Sequence, residues 1–306
     1  MIDLVLLGCG GNVPIPNRNL SSLFINYKGK KILIDCGEGT QVSMRMKNCG
    51  FKDVDLILIT HLHGDHLIGL IGLLSTMGNS GKVDDLTIVG PRGIIEAIKA
   101  IKVLVEYLPY NLNIIENPLE TFSLENHPVF KDLQISTLEL DHSTECLGYS
   151  LYFKRTPKFN IEKAKANNVP QNLWSKLQKI DSIFYDKKKY TSDMVLGDDR
   201  KGVKLSFITD TRFLLTIPDF IRHSDLFVCE GMYGDDMDIS KAVKNKHMTF
   251  NEAASLASLG EVKQLLLTHF SPSLENPHDY LKNATRIFPN TIIGEDRLSL
   301  SLNYEN

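Results

Sequence analysis

Metal-ligating side chains are concentrated in residues 61–66 of this chain, which read HLHGDH. Three of the nine histidines fall in this stretch together with one aspartate, at positions His61, His63, Asp65 and His66. In an extended segment, side chains at i and i+2 point to the same side, so His61 and His63 can bind one ion. Asp65 and His66 follow where the chain turns into a helix, and they can face a second ion. Imidazole and carboxylate groups together suit Zn²⁺, with Mn²⁺ and iron as alternatives.

Further ligands must come from distant parts of the chain, because four side chains cannot fill two metal shells. Three candidates each follow a β-like run: His142 after LQISTLELD, Asp210 after KLSFIT, and His269 after QLLLT. Strands that end at one rim of a layered structure would deliver these side chains to one place. The resulting set of histidines and aspartates is what two ions bridged by one carboxylate need.

Short apolar runs predict the strands that would position these residues. They occupy residues 4–7, 22–26, 31–34 and 56–59, separated by Gly, Asn, Pro and Lys turns. Helices are predicted for LIGLIGLLSTMG, GIIEAIKAIKVLVEYL and TFNEAASLASLG, the last with a Thr-to-Glu capping box. Strand and helix signals then alternate, and the scheme recurs in the second half of the chain. We therefore expect an α/β fold arranged as a layered α/β/β/α sandwich.

Residues 154–204 interrupt this scheme and carry an excess of positive charge. They hold 13 Lys and Arg against 6 Asp and Glu, in a chain whose overall net charge is −3. Pro157, Asn160, Pro170 and a KKK run mark the stretch as an insertion into a single domain that spans residues 1–306, and IEKAKANNV predicts a short helix within it. A local basic segment on an acidic body can attract a polyanion, although a solvated surface explains the charge equally well.

The composition is that of an ordinary globular protein and excludes several classes. Hydrophobic residues make up 42% and charged residues 23% of the chain, which argues against disorder and collagen. The five cysteines are never spaced CxxC, so we expect neither a disulfide framework nor a zinc ribbon. No apolar run is long enough for a membrane span, and the opening MIDLVLLGCGG lacks the features of a signal peptide. We therefore expect a cytoplasmic protein without a membrane partner.

Taken in order, these segments resemble the ribonuclease Z family of the metallo-β-lactamase superfamily. The resemblance rests on HxHxDH followed by a distant His, an Asp after a strand and a late His. Further matches extend along nearly the whole chain: GCGGNVPIPNRNLSS, ILIDCGEGTQ, HGDHLIGLIGLL, LTIVGPRG, LDHSTECLGYSL, FITDTR and LLLTHFS. The resemblance implies a four-layer αβ/βα metallo-β-lactamase sandwich, with the insertion as a flexible arm.

The resemblance also implies two Zn²⁺ ions per subunit. Their ligands would form one set of three for each ion, with one carboxylate bridging both: His61, His63 and His142; Asp65, His66 and His269; and Asp210 as the bridge.

Four residues receive further roles from the same resemblance. Asp65 would orient the attacking water or accept its proton. Glu230 and His247 match a pair that protonates the departing ribose oxygen. Asp35, within ILIDCGEGTQ, matches a position that supports the metal site without binding the metal.

The implied activity is zinc-dependent removal of the 3′ trailer from precursor tRNA, by attack of metal-activated water on a phosphodiester. Cleavage would leave a 3′-hydroxyl on the tRNA. The arm would hold the tRNA through lysines spread along it: Lys158, Lys163, Lys165, Lys176 and Lys179. The resemblance further implies a homodimer, and we expect no DNA partner.

Two other functions stay open at this stage. The first is a related metallo-β-lactamase-fold phosphodiesterase that acts on cyclic nucleotides or other small phosphodiesters. The second is a non-catalytic RNA-binding or structural paralogue, which the complete set of ligands disfavours.

Overall fold

The fold is described from a computed structural model, which covers residues 1–105 and 107–305. The strands, in chain order, are β1 Ile2–Gly8, β2 Ser22–Tyr27, β3 Lys30–Ile34, β4 Val54–Leu58, β5 Leu86–Gly90, β6 Leu112–Glu116, β7 Leu133–Leu140, β8 Cys146–Arg155, β9 Ser182–Tyr185, β10 Lys188–Thr191, β11 Arg200–Ile208, β12 Leu226–Glu230, β13 Leu265–Thr268, β14 Thr291–Ile293 and β15 Leu298–Leu302. The α-helices are α1 Thr40–Met46, α2 Gly64–Leu67, α3 Leu70–Asn79, α4 Ile94–Leu104, α5 Ile161–Ala166, α6 Trp174–Leu177, α7 Ile217–Ile221, α8 Ile239–Asn245, α9 Phe250–Leu259 and α10 Leu281–Thr285.

The first sheet has the strand order β15-β1-β2-β3-β4-β5-β6. Its strands pair antiparallel from β15 to β3 and parallel from β3 to β6. Every residue of β4 is buried, as expected for a parallel strand covered on both faces. Buried side chains of α1, α3 and α4, such as Met44, Leu73 and Ile98, belong to one apolar cluster with residues of these strands. Helices thus cover the outer face of this sheet.

The second sheet has the order β14-β13-β12-β11-β8-β7, and its strands β11 to β14 run parallel. Helix α9 packs against β12 and β13, and it begins with the predicted capping box between Thr249 and Glu252. Hydrogen bonds tie the sheets together: the Tyr149 hydroxyl of β8 donates to the carbonyl of Ile59 at 2.7 Å. The α/β/β/α sandwich expected from the sequence is therefore confirmed.

Two predicted helices differ in extent from the observed ones. The helix predicted for GIIEAIKAIKVLVEYL ends at Leu104, and the chain leaves helical geometry at Val105 with φ −117° and ψ 77°. Glu106, within the predicted helix, lies outside the described residues. In the LIGLIGLLSTMG segment, Leu67 is the last residue of α2, and α3 begins at Leu70 after a break at Ile68 and Gly69.

The chain divides into two compact units, of which the first comprises residues 1–152 and 203–303. The second comprises residues 153–202 and the last residues of the chain, and it has an apolar core of its own. That core contains Ala164, Val169, Leu173, Leu177, Tyr190 and Val195. The predicted short helix in this stretch is present as α5, and the Asn160 side chain caps it by accepting from the Lys163 N–H.

Strands β9 and β10 form a hairpin in the second unit. Its turn residues Asp186 and Lys187 both have positive φ, as two-residue hairpin turns require.

Within the part of the chain that the structure describes, no helix is both long and apolar enough to span a bilayer.

Candidate active site

Several residues of the candidate site lie just beyond the carboxyl ends of parallel strands. In the first sheet β3 leads to Asp35 and β4 leads to His61, and in the second sheet β11 leads to Asp210 and β13 leads to His269. Asp35, Asp210 and His269 have φ values of 60°, 50° and 58°, a left-handed conformation that non-glycine residues seldom adopt. Such conformations cost free energy and are concentrated at functional sites.

The first predicted set of three ligands is assembled in the structure. Nε2 of His61 lies 3.0 Å from Nδ1 of His63, and Nε2 of His142 lies 3.3 Å from the same Nδ1 atom. His142 reaches this place from the loop after β7. The three nitrogens are close enough together to ligate one ion.

The second predicted set is assembled next to the first. Nε2 of His66 lies 3.1 Å from Nε2 of His269. An Asp65 carboxylate oxygen lies 3.5 Å and 3.6 Å from these two nitrogens. Residues 203 positions apart in the chain therefore meet around one point.

The Asp210 carboxylate stands between the two sets. Its Oδ1 atom is 3.3 Å from Nε2 of His66 and 3.2 Å from Nε2 of His269, on the side of the second set. Its Oδ2 atom is 3.7 Å from Nε2 of His61 and also 3.7 Å from Nε2 of His142, on the side of the first set. One oxygen facing each set is the arrangement that a bridging ligand requires.

The donor atoms fit divalent cations. The ion-pair partners of Asp65 and Asp210 are imidazoles rather than lysines or arginines. Burial lowers the pKa of His66, but the carboxylates of Asp210 and Asp35 outweigh burial and raise that pKa well above its ordinary value. The carboxylates therefore favour positive charge in the site, and imidazole with carboxylate is a donor set for transition-metal ions.

Asp35 lies directly behind the ligands, as a supporting position would. It is fully buried and accepts a hydrogen bond from the Thr60 N–H at 2.8 Å. Its Oδ2 atom lies 2.7 Å from Nδ1 of His66, so Asp35 orients that ring with Nε2 toward the site.

The sequence did not identify two residues of the opening loop that contact the ligands. The backbone N–H of Asn12 donates to Oδ2 of Asp65 at 2.6 Å. A Cβ atom at Gly11 would lie only 2.5 Å from Cε1 of His269, so this position has no room for a side chain. The Gly10-Gly11 pair is the signal in the sequence that could have indicated a close approach of backbone.

Lys246 is a further residue that sequence reasoning missed. Its carbonyl accepts from Nδ1 of His142 at 3.4 Å, and its ammonium group contacts Asp141 at 2.7 Å. Lys246 has a φ of 57°, and no feature of its sequence surroundings indicated this conformation.

Glu230 and His247 form a pair beside the ligands. Glu230 is fully buried, and its carboxylate lies 3.1 Å from Nδ1 of His247. The Thr211 N–H, at 2.6 Å, and the Met248 N–H, at 3.1 Å, also donate to this carboxylate. Burial lowers the pKa of His247, but the Glu230 carboxylate more than compensates and raises this pKa to about 9. Near neutral pH the His247 ring is therefore protonated and can donate a proton.

A cleft of about 820 Å³ opens over these groups. It is lined by members of both ligand sets and by His247, together with Tyr233, Lys244 and Lys246 on one wall. The volume is in the range of ligand-binding clefts. The ligands and the proton donor therefore face one common space.

The lysines predicted to hold a polyanion all belong to the second unit, and each is exposed. Lys165 is paired with Glu162 at 3.5 Å. Their role in binding stays a prediction.

Comparisons with known proteins add three findings from relatives of the whole chain. A ribonuclease Z from Clostridioides difficile (strain 630) is 69% identical over 305 residues and covers 100% of both chains. The crystal structure of human tRNase Z, short form, has a TM-score of 0.69 at 22% identity and covers 98% of both chains. The metallo-β-lactamase fold protein YhfI from Bacillus subtilis also has a TM-score of 0.69, at 18% identity, with 98% of this chain and 98% of that chain covered.

A sequence-family model described as Anti-Pycsar protein Apyc1 matches residues 2–196. The match contains His61, His63, Asp65, His66 and His142, and it ends before Asp210. The two solved structures share the fold of this chain, so the predicted metallo-β-lactamase sandwich is confirmed.

Proposed function

The chain belongs to the ribonuclease Z family, and on that premise we propose how its residues remove the 3′ trailer from precursor tRNA. Through residues 2–196 it belongs as well to the family described as Anti-Pycsar protein Apyc1. It is a metal-dependent hydrolase of the endoribonuclease class. The product that remains on the tRNA carries a 3′-hydroxyl.

The observation that carries this assignment of residues is the position of Asp210, with one carboxylate oxygen toward each set of three ligands. We infer two Zn²⁺ ions per subunit. His61, His63 and His142 would hold one ion, Asp65, His66 and His269 would hold the other, and Asp210 would contact both. When bound, such ions would lower the pKa of water toward neutral pH and offset the negative charge of a phosphodiester.

Asp65 has a second task in this proposal. Its Oδ2 atom accepts the Asn12 N–H, which fixes the direction of the carboxylate relative to the cleft. From this position Asp65 orients the attacking water and accepts its proton. In-line attack on the phosphorus then expels the 3′ oxygen of the ribose.

His247 donates a proton to that departing oxygen. The Glu230 carboxylate binds Nδ1 of His247, which leaves Nε2 as the atom that can face the cleft. Because its pKa is raised to about 9, the His247 ring carries the needed proton at neutral pH. Without this donor the ribose oxygen would leave as an unstable alkoxide.

The second unit supplies the proposed tRNA-binding surface. Exposed lysines contact phosphates without reading bases, which suits recognition of a shape shared by many tRNAs. The proposed contacts are Lys158, Lys163, Lys165, Lys176 and Lys179. We further infer that the protein is cytoplasmic and forms a homodimer. Sedimentation of the purified chain at several concentrations tests the dimer.

The decisive experiment is cleavage of a 3′-extended precursor tRNA with mapping of both new ends. We expect a single cut next to the mature 3′ end and loss of cleavage when a chelator removes the metal. Zn²⁺ added to the chelated protein should restore activity, and metal analysis should give two zinc ions per chain.

Small substrates distinguish the alternative activity. A ribonuclease Z should cleave precursor tRNA with a much higher kcat/KM than it hydrolyses cyclic nucleotides. Efficient hydrolysis of cyclic nucleotides with no tRNA cleavage would assign the site to the alternative phosphodiesterase function.

A further inference from the structure

Thr60 lies between the buried Asp35 carboxylate and the ring of His61. The Thr60 side chain is fully buried, and its Oγ1 atom is 2.9 Å from Oδ2 of Asp35 and 3.1 Å from Nδ1 of His61. A hydroxyl has one proton to donate, and an ionised carboxylate can only accept. The Thr60 proton therefore goes to Asp35, and Nδ1–H of His61 donates to the Thr60 oxygen.

We propose that Thr60 is a positioning residue through which a single carboxylate orients one ligand in each metal set. Asp35 accepts Nδ1–H of His66 directly at 2.7 Å, and it acts on His61 through the Thr60 hydroxyl. These hydrogen bonds at Nδ1 keep Nε2 as the atom of both rings that faces the site and is available to an ion. The inference rests on the metal assignment of the proposed function.

The surroundings of His61 offer only a weak substitute for the Thr60 oxygen. The sulfur of Cys146 lies 3.9 Å from Nδ1 of His61, and a thiol sulfur is a poor acceptor. Loss of the Thr60 hydroxyl therefore leaves the His61 proton without a good partner. The tautomer with the proton on Nε2, which cannot bind an ion through that atom, then becomes competitive.

Thr268 provides a matched control. It is buried and directly precedes His269, just as Thr60 directly precedes His61. Its hydroxyl has no hydrogen-bond partner among the described residues, so it cannot orient a ligand. A valine at either position keeps the β-branched shape and removes the hydroxyl.

The test is the zinc affinity of the full-length chain, measured by competition with a chromophoric chelator. Thr60→Val keeps the backbone N–H bond to Asp35, and we expect it to weaken binding of one of the two ions by about 10-fold to 100-fold. Thr60→Ser restores the hydroxyl and should bind zinc as the wild type does. Thr268→Val should also match the wild type, and thermal unfolding of each variant reports whether the chain is folded.

Ring ¹⁵N resonances of the histidines give a second readout that loss of stability alone would not change. We expect the His61 proton on Nδ1 in the wild type and in Thr60→Ser, and its redistribution to Nε2 in Thr60→Val. Unchanged zinc affinity in Thr60→Val, or failure of Thr60→Ser to restore it, overturns the inference. If the wild type cleaves precursor tRNA while Thr60→Val binds zinc normally, only this inference fails. A wild-type chain that binds no zinc overturns the metal assignment as well.

Discussion

Two histidines next to the first sheet and one histidine of the second sheet, His269, are held in different ways. On the side of the first sheet, His66 is oriented by a hydrogen bond to the buried Asp35 carboxylate, and His61 is linked to the same carboxylate through Thr60. On the side of the second sheet, Nδ1 of His269 is buried and has no hydrogen-bond partner within the described structure. That ring instead occupies the space next to Gly11, where an added Cβ atom would lie 2.5 Å from Cε1 of His269.

This difference indicates which substitutions near each histidine are tolerated. Ligands oriented by hydrogen bonds should be sensitive to the loss of a charge or a hydroxyl even when the side-chain volume is kept. A ligand oriented by packing should be insensitive to such changes and sensitive to added volume. The following substitutions test this distinction, from the largest expected effect to the smallest.

The hydrogen bond between Glu230 and His247 orients a histidine that is proposed to serve the chemical step and not metal binding. His247→Ala removes the proton donor, so we expect kcat on precursor tRNA to fall by about 10²-fold to 10⁴-fold. Zinc content should stay at the wild-type level because His247 is not a proposed ligand. Loss of zinc in this variant would contradict its assigned role.

Asp35→Asn tests the histidines that are oriented by hydrogen bonds, His66 and His61. An amide keeps the shape but loses the charge and one acceptor, so zinc affinity should fall by about 10-fold to 100-fold. Asp55→Asn is the control, because Asp55 is also a buried carboxylate but contacts Lys82 and Lys30 instead of ligands. That variant should lose about 3 kcal/mol of unfolding free energy and keep its zinc affinity. Equal loss of zinc affinity in both would show that the effect is general destabilisation.

Gly11→Ala tests the histidine that is oriented by packing, His269. The added methyl group would displace either His269 or the opening loop, and we expect zinc affinity to fall by about 10-fold, with about 1 kcal/mol of destabilisation. Gly197→Ala is the control, because Gly197 belongs to the second unit. A Cβ atom there would lie 3.3 Å from its nearest neighbour, the carbonyl oxygen of Lys158. Unchanged zinc affinity in Gly11→Ala would refute the idea that packing orients His269.

The exposed lysines of the second unit should give the smallest effect. Deleting the segment that carries these lysines would also remove Ala164, Leu173 and Leu177 from the apolar core of that unit. Replacing the charged side chains is therefore a cleaner test. With the five predicted lysines changed to Gln, we expect weaker binding of precursor tRNA at low salt. The salt dependence of binding should become shallower by about 0.7–0.9 per lost phosphate contact. Hydrolysis of bis(p-nitrophenyl) phosphate should not change.

Sequence reasoning was most informative where chemistry and spacing are local. The HLHGDH stretch identified four candidate ligands directly, and strand-like runs before His142, Asp210 and His269 indicated where the others would lie. The sandwich followed from the same alternation of strands and helices. Local patterns thus carried most of the fold and all of the proposed ligand set.

The supporting contacts of Gly11, Asn12 and Lys246 were not predicted because they depend on residues far apart in the chain. Asn12 and Asp65 are 53 positions apart, and Lys246 and His142 are 104 positions apart. Gly11 matters only because His269 lies against it. Such contacts exist only in the assembled sandwich, so a local pattern such as the Gly10-Gly11 pair can indicate a close approach but not its partner.

The long separation between His66 and His269 has a consequence for biogenesis. During synthesis the second cation position stays incomplete until residue 269 has left the ribosome, after nearly the whole sandwich has been made. Ordering so long a loop costs entropy before any contact is gained. In the proposed two-ion site, capture of the second cation would therefore be a late event in maturation, and the bound ion would join the two sheets.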